Sequence, residues 1–235
     1  MKNAIYMTDS YIKEFDAVVE SVKDDKYVIL NQSAFYPQGG GQPADFGVMV
    51  CNGVEYPVVH AGKFEGTISH EVAKPGLKQG DQVKCKIDWD RRYRLMRMHT
   101  AAHIIDAVLY KEAGALCTGN QLNVDKSRID FALETLNKEK IQSYIDMANE
   151  YVQKAIDVKI YTLPREEALK IPGIVKLASV MPPEVDELRI VEIPGIDMQA
   201  DGGTQVKNTS EIGKISLVSV ENKGKINRRM YYTLD

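Results

Sequence analysis

Cysteine is scarce: Cys51, Cys85 and Cys117 are the only three among 235 residues, and no two form a Cys-x-x-Cys pair. This odd, sparse set excludes a disulfide framework and a thiolate zinc cluster, and it fits a reducing compartment. No apolar run approaches the ~18 residues that a membrane-crossing helix needs, so no membrane partner is expected. The opening Met1-Lys-Asn-Ala-Ile-Tyr-Met-Thr-Asp9 lacks the apolar segment of a secretory leader, and cytoplasmic residence is the expectation. Charge of one sign is not in excess. The 30 Lys+Arg and 33 Asp+Glu leave a net −3, so no global field draws the chain to nucleic acid. Any such partner must be held by local patches. Internal repeats and low-complexity linkers are also missing.

What is present is ordinary for a folded protein: 44% apolar and 27% charged residues. At roughly 150 residues per domain, the length allows one to two domains. Residues 1–88 are rich in short β-branched or alternating runs, at 18–22, 26–30, 48–50, 54–59 and 82–87. Asp24-Asp25, Asn52-Gly53 and Gln79-Gly-Asp81 separate them as turns, which predicts a small N-terminal β-barrel. From Asp88-Trp-Asp90 the period changes. Leu95, Met98, Ala102, Ile105 and Leu109 form a helical seam, with Asp90 or Asp88 as N-cap and Gly114 as stop. A second helix follows Asn137, with Ile141, Tyr144, Ala148, Val152 and Ala155 on one stripe. Strand-like runs at 121–124, 128–132, 158–161, 189–193, 215–221 and 229–234 complete residues 89–235. The expected fold class is α+β, with two main helices against an antiparallel sheet. Pro164, Pro172, Pro182-Pro183 and Pro194 predict long loops in the second half.

Three segments carry chemistry. His99-Thr-Ala-Ala-His103 sets two imidazoles one helical turn apart, a spacing that lets both reach one metal ion. Packed histidines beside the seam are the alternative. Thr100 stands where a zinc protease needs Glu, which argues against that class. Phe35-Tyr-Pro-Gln-Gly-Gly-Gly-Gln-Pro-Ala-Asp45 removes three consecutive Cβ atoms and so admits a ligand to backbone amides, or else forms a hairpin turn. No Gly-Lys-Ser/Thr follows it, so it is not a P-loop. Asp197-Met-Gln-Ala-Asp-Gly-Gly-Thr-Gln-Val206 puts two oxygen donors, Asp201 and Gln205, around a glycine pair. Charge is locally basic in two stretches. Lys84, Lys86, Arg91, Arg92, Arg94 and Arg97 outnumber Asp88 and Asp90, and residues 207–229 carry a second surplus of four.

Taken together, the segments resemble the freestanding AlaX-type alanyl-tRNA editing proteins and the editing domain of alanyl-tRNA synthetase. Phe35-Tyr-Pro-Gln-Gly-Gly-Gly-Gln-Pro43, His99-Thr-Ala-Ala-His103, and Gly202-Gly-Thr204 with Glu211-Ile-Gly213 occur in the family's order. The likeness covers nearly the whole chain. The opening Asp9-Ser-Tyr-Ile-Lys-Glu-Phe15 looks like the medium-length class, which carries an N-terminal barrel. The resemblance implies an aminoacyl-tRNA deacylase acting in trans on mischarged tRNA(Ala). Its substrate would be Ser-tRNA(Ala), with Gly-tRNA(Ala) as a second candidate.

The family's last motif commonly reads Cys-Gly-Gly-Thr-His; here Asp201 and Gln205 take the Cys and His positions, and all four histidines (His60, His70, His99, His103) lie elsewhere. The implied metal is Zn2+, held by His99, His103 and Asp201 with water. Gln205 offers only an amide oxygen, so the ion is expected to be weakly bound. Ser33, Gly39, Gly40, Gly41, Gln42 and Thr204 are the implied substrate contacts, with Ser33 as the residue that recognises the serine hydroxyl. Arg91, Arg92, Arg94 and Lys207 are the candidate RNA contacts. Two alternatives accompany this expectation: a tRNA-binding homologue with impaired catalysis, and a metal-dependent hydrolase of another small ester.

Overall fold

Paired left-handed residues set the hairpins of the first ninety residues. Asp24 and Asp25 take φ of 51° and 57°, Asn52 and Gly53 49° and 78°, and Glu65 and Gly66 46° and 78°. Two successive positive φ angles give the type I′ pattern, whose twist suits a strand pair. These turns join β1 (Glu14–Lys23) to β2 (Tyr27–Leu30), β3 (Gly47–Cys51) to β4 (Val54–Phe64), and β4 to β5 (Thr67–Val72). With β6 (Gln82–Ile87) the strands close into an antiparallel barrel of order β1-β2-β5-β4-β3-β6. Burial alternates along β5 and β6, as a one-sided core requires. β5 was not among the expected runs. Its inward positions are Ile68, His70 and Val72, and a histidine inside the barrel masks the apolar alternation.

This computed structural model describes residues 3–135, 137–174 and 185–235; Pro182-Pro183 fall outside them. Chain packing divides it into two units, Met1–Arg94 and Leu95–Asp235. α1 (Trp89–Ala113) begins with Asp88 as its cap, the Asp88 Oδ1 accepting the Arg91 N–H at 3.3 Å. It ends at Gly114, whose φ of 60° lets the Ala115 N–H reach back to the Leu109 carbonyl. The predicted seam is buried, and so are Met96, Ala101, Ile104 and Val108 on the other sides. Its middle, from Leu95 to Leu109, is enclosed on nearly every side and lies in the interior, and the polar residues there go in with it.

Two antiparallel sheets share the second unit with residues 95–113 of α1. One orders β12 (Ile215–Asn222), β13 (Asn227–Leu234), β8 (Ser127–Ala132) and β7 (Cys117–Gln121). The other orders β11 (Asp197–Ala200), β10 (Glu187–Ile193) and β9 (Lys159–Pro164), followed by the short α3 (Arg165–Ala168). α2 (Lys138–Gln153) is capped by Asn137, whose side chain accepts from the Lys140 N–H at 3.0 Å. Ile141, Tyr144, Ala148 and Val152 face inward. Ala155, expected on that stripe, lies beyond the helix end with φ of 50° and is exposed. The architecture is α+β with an N-terminal barrel, as expected. Among the described residues no helix is long and apolar enough to cross a membrane.

Candidate metal centre

Burial of α1 places His99 and His103 in the interior, at 4% and 5% exposure. One turn apart, their rings lie 5.3 Å from each other. The loop after β11 brings Asp201 to them: its carboxylate oxygens lie 3.6 Å from His99 Nε2 and 3.9 Å from His103 Nε2. One donor atom from each of the three falls within 4.8 Å of the others. Two imidazoles and a carboxylate are a donor set that suits a divalent transition metal, and the group can hold one.

The surroundings prepare these donors. Asp197 Oδ2 accepts from His103 Nδ1 at 2.8 Å, which fixes the proton there and turns the Nε2 lone pair toward Asp201. The Gln199 amide donates to the same Asp197 oxygen at 3.0 Å. The Gly203 N–H holds Asp201 Oδ2 at 2.8 Å, while Arg189 Nη1 donates to the Asp201 carbonyl and lies 3.8 Å from the carboxylate. Burial pushes the His99 imidazole down to about 4, so it is neutral at pH 7. For His103 burial acts the same way, but the Asp197 bond and the nearby carboxylates outweigh it and raise its pKa. Burial alone would raise Asp201; its interactions with His99, His103, Arg189 and the Gly203 N–H override that and hold the carboxyl far below the usual range.

Gln205 closes the site, and its amide orientation differs from the expected one. The Nε2 end faces the donors, giving a hydrogen bond to Asp201 Oδ2 at 3.0 Å and lying 3.3 Å from His103 Nε2. The Oε1 end accepts from Thr100 Oγ1 at 2.7 Å. A half-turn of the amide exchanges the two ends, and the Thr100 hydroxyl, both donor and acceptor, suits either. Thr204 is buried beside Gln205 in the chain.

Asp197, Thr100 and Arg189 were not among the expected site residues. Asp197 carried a faint signal, the polar alternation Asp197, Gln199, Asp201, which puts all three on one side of an extended segment.

In the barrel unit, residues 39–42 form a tight turn in which Gly39 and Gln42 exchange backbone hydrogen bonds at 3.1 and 2.9 Å. Gly40 and Gly41 take φ of 57° and 83° at its tip; Gln42 is fully buried. Ser33 is 2% exposed and contacts His70 Nε2 at 2.7 Å. His70 Nδ1 must donate to the Val28 carbonyl, 2.9 Å away, so in the neutral ring Nε2 accepts and the Ser33 proton is committed to it. The Phe35 N–H takes one Ser33 lone pair at 3.1 Å. Ser33 can therefore offer a ligand acceptance only.

Arg92 is a correction. It is 0% exposed, pairs with Asp45 through Nε at 2.9 Å and through Nη2, and donates to the Ser10 and Ala34 carbonyls. A guanidinium consumed inside the barrel unit meets no phosphate. Arg91 lies over the Phe46 ring at 4.2 Å, Arg94 is half-buried and Lys207 is exposed. Arg228, part of the second basic stretch, is likewise buried, its guanidinium binding the carbonyls of Gly224, Asn227, Lys225 and Glu134.

Comparison with known proteins falls on both units. The family model described as tRNA synthetases class II (A) matches residues 3–91, and that of the threonyl and alanyl tRNA synthetase second additional domain matches residues 188–231. The alanyl-tRNA editing protein AlaX-M of Methanosarcina acetivorans is 50% identical over 243 residues, covering 100% of this chain and 99% of that protein. The protein of the same name from Saccharolobus solfataricus is 50% identical over 237 residues, with the same shares. Alanine--tRNA ligase of Pyrococcus abyssi is 37% identical over 222 residues, 92% of this chain but 24% of the ligase.

Proposed function

Because the chain belongs to the AlaX-M family of alanyl-tRNA editing proteins, we propose that it deacylates mischarged tRNA(Ala) in trans, with Ser-tRNA(Ala) as principal substrate and Gly-tRNA(Ala) as a second. The observation that carries this reading is the convergence of His99, His103 and Asp201 within one buried cluster. In the reaction a water oxygen bonds to the ester carbonyl carbon, the carbon–ribose oxygen bond breaks, and a proton passes to the ribose oxygen. Free amino acid and intact tRNA result.

Zinc is the proposed metal, held by His99, His103 and Asp201, with the Gln205 oxygen as a fourth donor after rotation of its amide. When bound, such an ion supplies Lewis acidity toward water or a carbonyl oxygen. The chain's own residues do the rest. Asp197 holds the His103 proton on Nδ1, and the Gly203 N–H and Arg189 orient the Asp201 carboxylate. Burial limits the contact of both imidazoles with bulk water, while Asp201 remains partly exposed. An aminoacyl ester is activated enough that positioning and charge stabilisation account for hydrolysis. The Gly40 and Gly41 amides, Gln42 and Thr204 are the proposed grips on the acylated end. Ser33 would accept a hydrogen bond from the serine hydroxyl, a contact that alanine cannot make. Arg91, Arg94 and Lys207 are the proposed phosphate contacts. Buried, free Cys51, Cys85 and Cys117 suit a cytoplasmic site of action.

The test is deacylation of Ser-, Gly- and Ala-tRNA(Ala), with and without chelator. Clearance of Ser-tRNA(Ala), sparing of Ala-tRNA(Ala), and loss on chelation with rescue by zinc are expected. Tight tRNA binding without hydrolysis would instead identify a binding homologue. Equal turnover of a small ester with no gain from the tRNA would identify a general hydrolase.

A further inference from the structure

The barrel wall carries a groove of about 330 Å³ where β2, β4 and β5 adjoin, within the range of ligand-sized cavities. Tyr27, Ile29 and Phe64 give it an apolar lining, and Phe64 keeps 45% of its surface exposed. Cations stand over both rings: Lys23 Nζ lies 5.9 Å from the Phe64 centroid and Lys26 Nζ 4.7 Å from that of Tyr27. Asp24 and Glu71 are the carboxylates at the rim, and Glu71 is paired with Lys26 at 2.9 Å. With Glu71 neutralised by Lys26, the remaining charged side chains of the lining are Lys23 and Lys63 against Asp24, a surplus of one positive charge.

Two strand irregularities meet at this groove. β1 shifts register between Val19 and Ser21, and β4 between Val58 and His60; Ser21 and His60 both line the groove. Bulges re-aim side chains and concentrate beside binding sites. Here the shift in β4 accompanies an imidazole folded over Gly62, its Nε2 3.4 Å from where a β-carbon on that glycine would lie. Lys63 links the groove to the glycine turn. Its Nζ is 3.0 Å from the place of a β-carbon on Gly39, and the Gln38 N–H donates to the Ala61 carbonyl at 3.0 Å.

An exposed Phe64 ring and a partly buried Tyr27 ring, each with an ammonium group over it, suit an unpaired nucleotide, whose base packs on the rings as its phosphate draws the ammonium groups away. We propose that this groove binds one unpaired nucleotide of an RNA strand, its base against Tyr27 and Phe64 and its phosphate between Lys23 and Lys63, with the strand continuing along Lys63 to the Gly39 turn. Two rim lysines match a single phosphodiester, not the clustered charge of a nucleoside triphosphate. The inference rests on the reading of tRNA as the substrate.

The experiment titrates the full chain with the single-stranded tetraribonucleotide ACCA and follows backbone and side-chain NMR shifts, alongside Ser-tRNA(Ala) hydrolysis by the same preparation. Shifts confined to residues 21–29 and 60–71 and to the Gly39 turn are expected. Phe64→Leu, which keeps apolar bulk but loses the ring, should weaken ACCA and deacylated tRNA binding about tenfold. Lys63→Glu should do the same, and Phe64→Tyr should retain affinity. Saturating ACCA without groove shifts, in a protein that does hydrolyse Ser-tRNA(Ala), overturns the groove and leaves the reaction standing. Groove shifts in a protein without hydrolysis support the groove and remove the reaction. AMP binding as tightly as ACCA, or Phe64→Leu binding like wild type, overturns the strand-stacking proposal.

Discussion

A methyl group on Gly203 would fall 2.0 Å from Cε1 and 2.3 Å from Nδ1 of His99. The backbone of the loop that presents Asp201 therefore packs directly on the imidazole, at a distance that only glycine permits. Gly203→Ala should push the His99 ring away from Asp201 and lower metal affinity at least tenfold, about 1.4 kcal/mol. Overpacking of this kind costs about 1–3 kcal/mol of stability, so the variant should still fold. A competitive chelator titration with circular dichroism as control checks this; unchanged affinity would mean that the ring does not serve the metal.

Asp197→Asn should weaken the metal by 10- to 100-fold, the usual effect of losing the carboxylate behind a ligating histidine. The neutral amide no longer supports positive charge on His103 and can present its NH2 group to Nδ1, displacing the proton to Nε2. Isothermal titration with zinc and cobalt provides the readout. Wild-type affinity in this variant would detach Asp197 from the site.

Gln205→His should tighten zinc by about 1.4 kcal/mol, tenfold, because it replaces an amide whose NH2 end faces the donors by an imidazole nitrogen. Turnover need not rise, since a stronger fourth donor competes with water for the open position. Chelator competition on both proteins decides the matter. Equal affinities would place residue 205 outside the coordination sphere.

Arg92→Ala should cost about 3–5 kcal/mol of stability by leaving Asp45 charged and unpaired in the barrel unit. Lys207→Ala, at an exposed position, should stay within about 0.5 kcal/mol of wild type. If Lys207 contacts a phosphate, the same change should reduce the salt slope of tRNA binding by about one. Urea melts and salt-dependent filter binding measure the two quantities separately.

His70 ties stability to pH. Burial pushes its imidazole down to about 4, below the ~6.5 of an unfolded chain, so between these values the unfolded state binds the extra proton. Stability from this group is complete above about pH 6.5 and declines as pH falls toward 4, by about 3 kcal/mol in all. In His70→Gln that component of the decline should vanish. Urea midpoints at pH 7.0, 5.5 and 4.5 for both proteins give the difference, and parallel curves would contradict a neutral buried His70.

Much of this protein is set by local pattern. Type I′ hairpins follow from Asp24-Asp25 and Asn52-Gly53, the helix stop from Gly114, and the α1 seam from its apolar spacing, because each depends on residues within one or two turns of chain. The His99–His103 pair and the glycine-flanked Asp201 segment were legible as possible donors for the same reason. Their convergence was not, since it depends on burial of the middle of α1 and on β11 and the loop after it delivering Asp197 and Asp201 from about a hundred residues away. The two basic stretches show the opposite case. Composition groups Arg91, Arg92 and Arg94 as one charged patch, but burial converts Arg92 into an internal ion-pair partner of Asp45. Local sequence determines backbone conformation and donor chemistry; only packing decides which polar group is desolvated, and desolvation is what turns an arginine into a strut and gathers a pair of histidines with Asp201 into a cluster that could hold a metal.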